Sequence, residues 1–429
     1  MAGAVSCSST AGEAYPGLTF RRSISGTGSA RIGLHPMTTT ELDVSKARAL
    51  TPGCERVIHF NNAGCGLMSQ PVLDTVIGHT QLEARMGSYE AAALKADALD
   101  AVYTSFAKLL NCNADEIALT DGATQAWHRA FHSVPLAKGD RVLTANNEYN
   151  SNWLSLRRTC DKVGASLEVV PSDADGLLDV QALKNMLDDR VKLVSITQIT
   201  NSNGMVNPVV EVGAALRGTD AIYLLDACQA VGQMPVDVER IGCDLLSGAG
   251  RKFLRGPRGT GFMYVRRSVL DRIEPAVIDI HAAQWTGRDT FKWRPDARRF
   301  EQMEFSVADR LGMDAAVDHA LSWGLDAIEE RILGLSTLLR KRLNELPGVQ
   351  VRDQGTRPSG INTFTIEGKD LNALLLTLRA QGINTSVTNF DWAWLDLQAR
   401  GIERIMRASL HYYNTEEEVE RFVEAIARA

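Results

Sequence analysis

Tyr223-Leu224-Leu225-Asp226-Ala227-Cys228-Gln229 is an apolar run that ends on an acid. Three consecutive large apolar residues are what a strand buried on both faces needs, and such strands sit at the centre of parallel sheets. An acid at the C-terminal end of such a strand stands at the edge where open α/β sheets bind ligands. Burial there is costly unless the carboxylate meets a cation, such as a protonated ring nitrogen, and a helix cap or a hydrogen-bonded structural carboxylate are the other readings. The run alone leaves all of them open. Side chains alternate along extended chain, so Asp226 and Cys228 are expected on one face, one reaching a ring edge while the other packs on the ring plane.

Outward from this run, short apolar stretches alternate with helical periodicity. Strands are predicted at Glu116–Thr120, Arg141–Thr144, Ser166–Val170, Val191–Ile199, Ala221–Leu225 and Gly261–Val265, and helices over Gln125–Val134 and Asn152–Val163. That alternation predicts an α/β fold with a mostly parallel central sheet covered on both faces. After about residue 300 the texture changes. Ser306–Leu343 reads as long helical periodicity and short strands follow at Gly348–Val351 and Ile361–Ile366, which predicts a smaller C-terminal α+β domain. The expected division is a disordered Ser/Thr/Gly/Ala-rich leader over 1–40, a large domain over 41–300 and a small one over 301–429.

Two further segments carry chemistry. Asp121-Gly122-Ala123-Thr124-Gln125-Ala126-Trp127 lies where a strand is expected to end and a helix to begin. Small residues there leave backbone N–H groups free at the positive end of a helix dipole, and Thr124 adds a hydroxyl, which suits a phosphate. An ordinary turn capped by Asp121 or Thr124 fits the same residues. Ser247–Gly261 embeds Lys252 in a glycine-rich stretch between strands. Nearby positive charge from Arg251, Arg255 or Arg258 would lower the lysine pKa and favour the neutral amine that imine chemistry needs, while a surface anion-binding loop with a solvated lysine is the plainer alternative. Gly256-x-x-Gly259-x-Gly261 reverses the dinucleotide-binding order and argues against a nicotinamide dehydrogenase.

Composition narrows the class further. In 429 residues, 46 Lys+Arg against 52 Asp+Glu leave a formal charge of −6, which gives nothing to drive counterion release from nucleic acid. No stretch approaches the roughly 20 apolar residues of a bilayer-spanning helix, and mean hydropathy is −0.12. Neither a nucleic-acid nor a membrane partner is expected. Seven cysteines without C-x-x-C spacing argue against a disulfide framework and a structural zinc site, and place the chain in the reducing cytoplasm. Arg21-Arg22 lacks the apolar stretch an export signal would need.

Phosphate turn, acidic strand end and lysine loop, in that order, resemble the class V aminotransferase family, the cysteine-desulfurase-like branch of the fold type I pyridoxal-phosphate enzymes. The likeness covers about residues 56–429. It implies pyridoxal 5'-phosphate as cofactor, a small-molecule amino-acid substrate and a homodimer with active sites at the interface. Carried over by position, Lys252 is the Schiff-base lysine, Asp226 the partner of the pyridinium nitrogen, and Gln229 and Asn201 contact the cofactor's phenolic oxygen. Tyr149, within Asn146–Asn152, would stack on one ring face opposite Cys228, and Ala123 and Thr124 would hold the phosphate. Arg407 would grip the substrate α-carboxylate as a bidentate fork.

Departures from the family pattern sharpen the expected reaction. Ala249 stands three residues before the lysine, where the family usually has Ser or Thr, and Arg251 replaces a frequent His, so phosphate binding is expected to lean on Arg251 and on Thr286 of a neighbouring subunit. Where desulfurases carry a nucleophilic cysteine, this chain has Thr385-Ser386-Val387-Thr388-Asn389-Phe390, and no cysteine follows Cys243. A persulfide-forming sulfur donor is therefore not expected. Trp392 and Trp394 fit either an aromatic wall for a bulky substrate or strand alternation against the small-domain core. His128 and His132 have metal-ligand spacing but no third ligand, and no metal is expected. The resemblance, which extends to lincosamide-antibiotic pathway and isopenicillin N epimerase-like members, puts β-elimination from an S-substituted cysteine (a C–S lyase of secondary metabolism) first. Decarboxylation-coupled oxidative deamination comes second, epimerisation or transamination third, and a non-catalytic binding module last, since lysine and aspartate are both present.

Overall fold

Seven strands build the central sheet of the computed structural model, which describes residues 42–429. The expected leader lies outside the described residues, and those residues belong to one compact unit, Thr40–Ala429. In chain order the strands are β1 (Ile117–Thr120), β2 (Arg141–Ala145), β3 (Ser166–Val170), β4 (Val191–Thr197), β5 (Ile222–Asp226), β6 (Leu245–Ala249) and β7 (Gly261–Val265). Their spatial order is β1-β7-β6-β5-β4-β2-β3, and only β7 runs against its neighbours. The mostly parallel α/β sheet predicted above is what the chain forms.

Burial on both faces explains the apolar strands. Tyr223 and Leu225 enter one hydrophobic cluster with Phe106, Leu246 and Phe262, while Ile222 and Leu224 enter the opposite one with Trp127, Phe131 and Leu156. Alternation along β5 thus fills both layers, as a sheet covered by helices on each side requires. Helix Ala123–Ser133 packs against one face, and no helix among the described residues is long and apolar enough to cross a membrane.

Strand β6 was not predicted, because Ser247-Gly248-Ala249 reads as loop. The glycine has a tertiary reason: a Cβ at Gly248 would lie 2.1 Å from the Phe262 ring on the neighbouring strand. The single helical stretch predicted over Ser306–Leu343 is two helices, Val307–Trp323 and Leu325–Asn344. Gly324 at φ +82° breaks them, a conformation glycine adopts without a Cβ clash.

A second sheet holds four antiparallel strands, β8 (Val349–Val351), β9 (Ile361–Ile366), β10 (Ser386–Asn389) and β11 (Arg404–Ser409), in the order β8-β9-β11-β10. Its core is Phe364, Met406, Leu339, Leu378 and Phe422. The N-terminal segment joins this part of the molecule: a short strand, Ile58–His59, pairs with Ile383–Asn384, and Arg48 donates to Glu418 at 2.8 Å.

Candidate active site

The C-terminal ends of β1, β2, β4, β5 and β6 point toward one region, where open parallel sheets bind ligands. An inner chamber there is lined by Ala123, Thr124, Tyr149, Asn201, Asp226, Cys228, Gln229, Arg251 and Lys252, with Asn152. A connected outer chamber of about 220 Å³ shares Tyr149, Asn201, Gln229, Arg251 and Lys252, and adds Arg407 and Trp392. Ten of the predicted positions thus gather from segments nearly 300 residues apart, with Trp392 beside them.

Lys252 follows β6 and is half-buried. Burial draws its amine below the ordinary lysine range, and Arg251 and Arg407 add to that, while Cys228 and Asp226 act in the opposite sense. Of the three arginines expected to tune it, only Arg251 does. Arg255 turns away to donate to Leu67 O at 2.7 Å and Thr51 Oγ1 at 2.6 Å, and Arg258 is exposed. The surface-loop alternative is overturned, because Phe253 to Pro257 are buried.

Asp226, 5% exposed, closes β5. Its Oδ1 accepts from the Cys228 backbone N–H at 2.9 Å and its Oδ2 from Asn152 Nδ2 at 2.9 Å. Neither bond makes it a helix cap. Cys228 is buried, and desolvation together with Asp226 holds its thiol well above the usual cysteine range. A thiol so held is disfavoured as a thiolate nucleophile.

The phosphate turn opens helix Ala123–Ser133, whose first position follows Gly122 at φ +149° with no side-chain cap. Capping by Asp121 or Thr124 is thereby corrected: Asp121 accepts from Gln302 and Thr124 stands within the first turn. The glycine opening β7 is required by this turn, since a Cβ on Gly261 would lie 2.4 Å from the Gly122 carbonyl carbon. Free N–H groups at this helix start remain available to an anion.

Arg407 on β11 is 8% exposed, and its side-chain bond goes to the Asn201 carbonyl at 3.1 Å. Its Nε is buried without a partner, and burial, with Arg251 near, pushes its pKa down to about 10. A buried guanidinium facing a chamber without an acidic partner is suited to an anionic ligand. Gln229 donates one amide hydrogen to Ala63 O at 3.1 Å and leaves Oε1 unpartnered, so the expected donation to a phenolic oxygen would fall to the second amide hydrogen.

Two aromatic positions separate. Trp392 ends a short 3₁₀ turn and lines the outer chamber, whereas Trp394 opens helix Trp394–Ala399 and does not line it. Strand alternation against the core is overturned, since both rings are about half exposed, at 56% and 50%. Thr286 lies on an exposed hairpin, Ala283–Gly287 with Thr290–Trp293, outside both chambers of its own chain. His128 and His132 sit on one helix with ring centroids 5.6 Å apart.

Glu148 was missed entirely. It is 3% exposed and accepts from Thr144 Oγ1, Ser195 Oγ, Thr197 Oγ1, Asn152 Nδ2 and the Tyr149 N–H at 2.7–3.1 Å. The signal was present in β4, where Ser195 and Thr197 place hydroxyls at alternate positions beside the apolar residues Leu193, Val194 and Ile196.

Comparison with known proteins bears on the family and the fold. The family model for class V aminotransferases matches residues 58–422. A probable cysteine desulfurase of Xylella fastidiosa is 28% identical over 410 residues, covering 93% of this chain and 98% of that protein. A cysteine desulfurase of an Enterobacter species is 29% identical over 409 residues, covering 90% and 98%. Among solved structures, the apo cysteine desulfurase of Thermococcus onnurineus superposes with a TM-score of 0.85 at 24% identity, covering 91% of this chain and 99% of that one. The cystine C–S lyase C-DES, solved with its product cysteine persulfide, gives 0.79 at 22%, covering 88% and 99%.

Fold and site together define a fold type I enzyme. The chain belongs to the class V aminotransferase family, whose members are pyridoxal-phosphate-dependent. The residues present fit that cofactor: a lysine with a lowered pKa, a buried carboxylate with lone pairs left toward the chamber, and an uncapped helix start for the phosphate.

Proposed function

We propose that this chain is a C–S lyase that acts at Cα and Cβ of an S-substituted cysteine-type amino acid and releases its sulfur as a free thiol. The carrying observation is Arg407, a buried guanidinium with an orphaned Nε in the chamber that Lys252 also lines. In this reading Arg407 holds the α-carboxylate, Asp226 holds the proton on the ring nitrogen, and Tyr149 and Cys228 pack on the two ring faces. Gln229 and Asn201 hold the phenolic oxygen, Ala123, Thr124 and Arg251 hold the phosphate, and Trp392 packs against the substituent on sulfur while Trp394 supports its turn. Bound pyridoxal phosphate supplies an electron sink for the charge left at Cα. Lys252, whose amine burial shifts toward the neutral form, takes the Cα proton as general base and returns a proton to the departing thiolate. With water the balance is R–S–CH₂–CH(NH₃⁺)–COO⁻ + H₂O giving R–SH, pyruvate and NH₄⁺.

Desulfurase relatives favour the same bond. What departs here is the acceptor: no cysteine follows Cys243, and Cys228, which lines the inner chamber, is buried with a raised pKa. Purified protein incubated with S-conjugated cysteines is expected to yield pyruvate and ammonia in equal amounts. Carbon dioxide with hydrogen peroxide would replace elimination by oxidative deamination, and a protein-bound persulfide from free cysteine would restore the desulfurase reading. A role in antibiotic biosynthesis and a cytoplasmic location belong to this proposal.

The working unit we propose is a homodimer in which Thr286 of each subunit serves the other's phosphate. Support comes from apolar side chains left uncovered around that hairpin, with Trp285 77%, Ile280 80% and Val277 64% exposed. Light scattering should give about twice the chain mass of 46.8 kDa, and a monomer would count against the shared site.

A further inference from the structure

Beside Asp226 lies a polar linkage that the mechanism above does not use. Asn152, 3% exposed, stands in the first turn of helix Asn150–Val163. Its amide nitrogen donates to two carboxylates at once, Asp226 Oδ2 at 2.9 Å and Glu148 Oε1 at 3.0 Å. Only one orientation of that amide is tolerable, because turning it over would set its carbonyl oxygen against both acids. Glu148 in turn is fixed to two parallel strands by hydroxyls, Thr144 from β2 and Ser195 and Thr197 from β4. We propose that Asn152, anchored by Glu148, is the positioning residue for Asp226, holding its carboxylate in the one rotamer that presents the free lone pairs to the inner chamber.

Geometry favours this over a merely structural link. Asp226 has one bond on each oxygen, and the Cys228 N–H alone would leave the carboxylate free to swing about its side-chain torsion. The Asn152 bond, made at the wall of the inner chamber that both residues line, removes that freedom, and preorganised acceptors of this kind lose nothing to reorientation when a ligand arrives. Burying a second carboxylate beside the first is costly, and burial and Asp226 both raise the Glu148 pKa. Five donors offset that cost. Glutamine at 148 can keep all five contacts, since Thr144 and Ser195 hydroxyls can accept as well as donate.

The test rests on the cofactor assignment and reads affinity rather than turnover. Apo-protein is titrated with pyridoxal 5'-phosphate by absorbance, for the wild type, Asn152→Leu, Asp226→Ala and the double variant. Asn152→Leu should weaken binding about tenfold, the scale of one hydrogen bond to a charged group, and should add nothing in the Asp226→Ala background. Equal losses in both backgrounds, or no loss in the first, would overturn the proposal. Glu148→Gln should stay within about threefold of the wild type because it keeps the anchor; a loss as large as that of Asn152→Leu would show that charge, not anchoring, is what matters and overturn this account. Should Asn152→Leu fail to fold, Asn152→Ala is read in the same cycle. A wild type that takes up no pyridoxal phosphate would instead sink the cofactor assignment itself.

Discussion

Lys252→Ala is expected to lose at least about 10³-fold in turnover, since covalent attachment and general-base work both sit on one amine. The wild type with cofactor should show a near-visible absorbance band, and borohydride should fix the cofactor covalently to the wild-type chain but not to the variant. Retained turnover would remove Lys252 from the mechanism. Stability gives an independent reading. The folded-state pKa of Lys252 is lowered by burial, so the unfolded chain binds more protons and stability rises with pH between the folded and the ordinary lysine value. Below the folded value the penalty is complete, and above the ordinary value it is gone. Lys252→Ala removes the penalty, so the cofactor-free variant should melt no lower than the cofactor-free wild type, with the largest gain on the acid side. A large drop in melting temperature would mean that the amine is structural.

Arg407→Ala should raise KM for carboxylate substrates by about 10–100-fold, the range that charged hydrogen bonds span. Cofactor affinity should stay within about twofold, because Arg407 lines the outer chamber and not the inner one. Equal damage to both would show that the guanidinium serves the phosphate instead. Arg407→Lys should recover little, because a point charge cannot reproduce the two parallel bonds of a planar fork. The low pKa of about 10 marks a cation buried without a counter-charge, so its removal should leave the substrate-free protein at least as resistant to urea, apart from lost packing. A kcat effect with unchanged KM would instead place the interaction in the transition state alone.

Much of the frame is local and therefore legible. Apolar runs such as Tyr223–Leu225 specify a strand buried on both faces, and the small residues Gly122 and Ala123 mark a helix start, whatever surrounds them. The chemistry of Lys252, Asp226 and Arg407 is likewise a property of residue type, and the topology of a parallel sheet brings strand ends to one edge. Strand β6 and the break at Gly324 escaped because the deciding contact, the Phe262 ring against Gly248, or the deciding torsion, is not written in the neighbouring residues.

What tertiary structure alone decided is partnership. Residue type could suggest that arginines near Lys252 would tune it, yet only packing sent Arg255 to Thr51 and Leu67 and brought Arg407 from 155 positions away in the chain to act in its place. Glu148 shows the same limit: its hydroxyl partners lie four, 47 and 49 positions away, on two strands that meet only in the folded sheet. Periodicity and composition are sums over near neighbours, whereas a buried charge is governed by whatever lies within a few ångströms, and the fold chooses that neighbourhood from the whole chain.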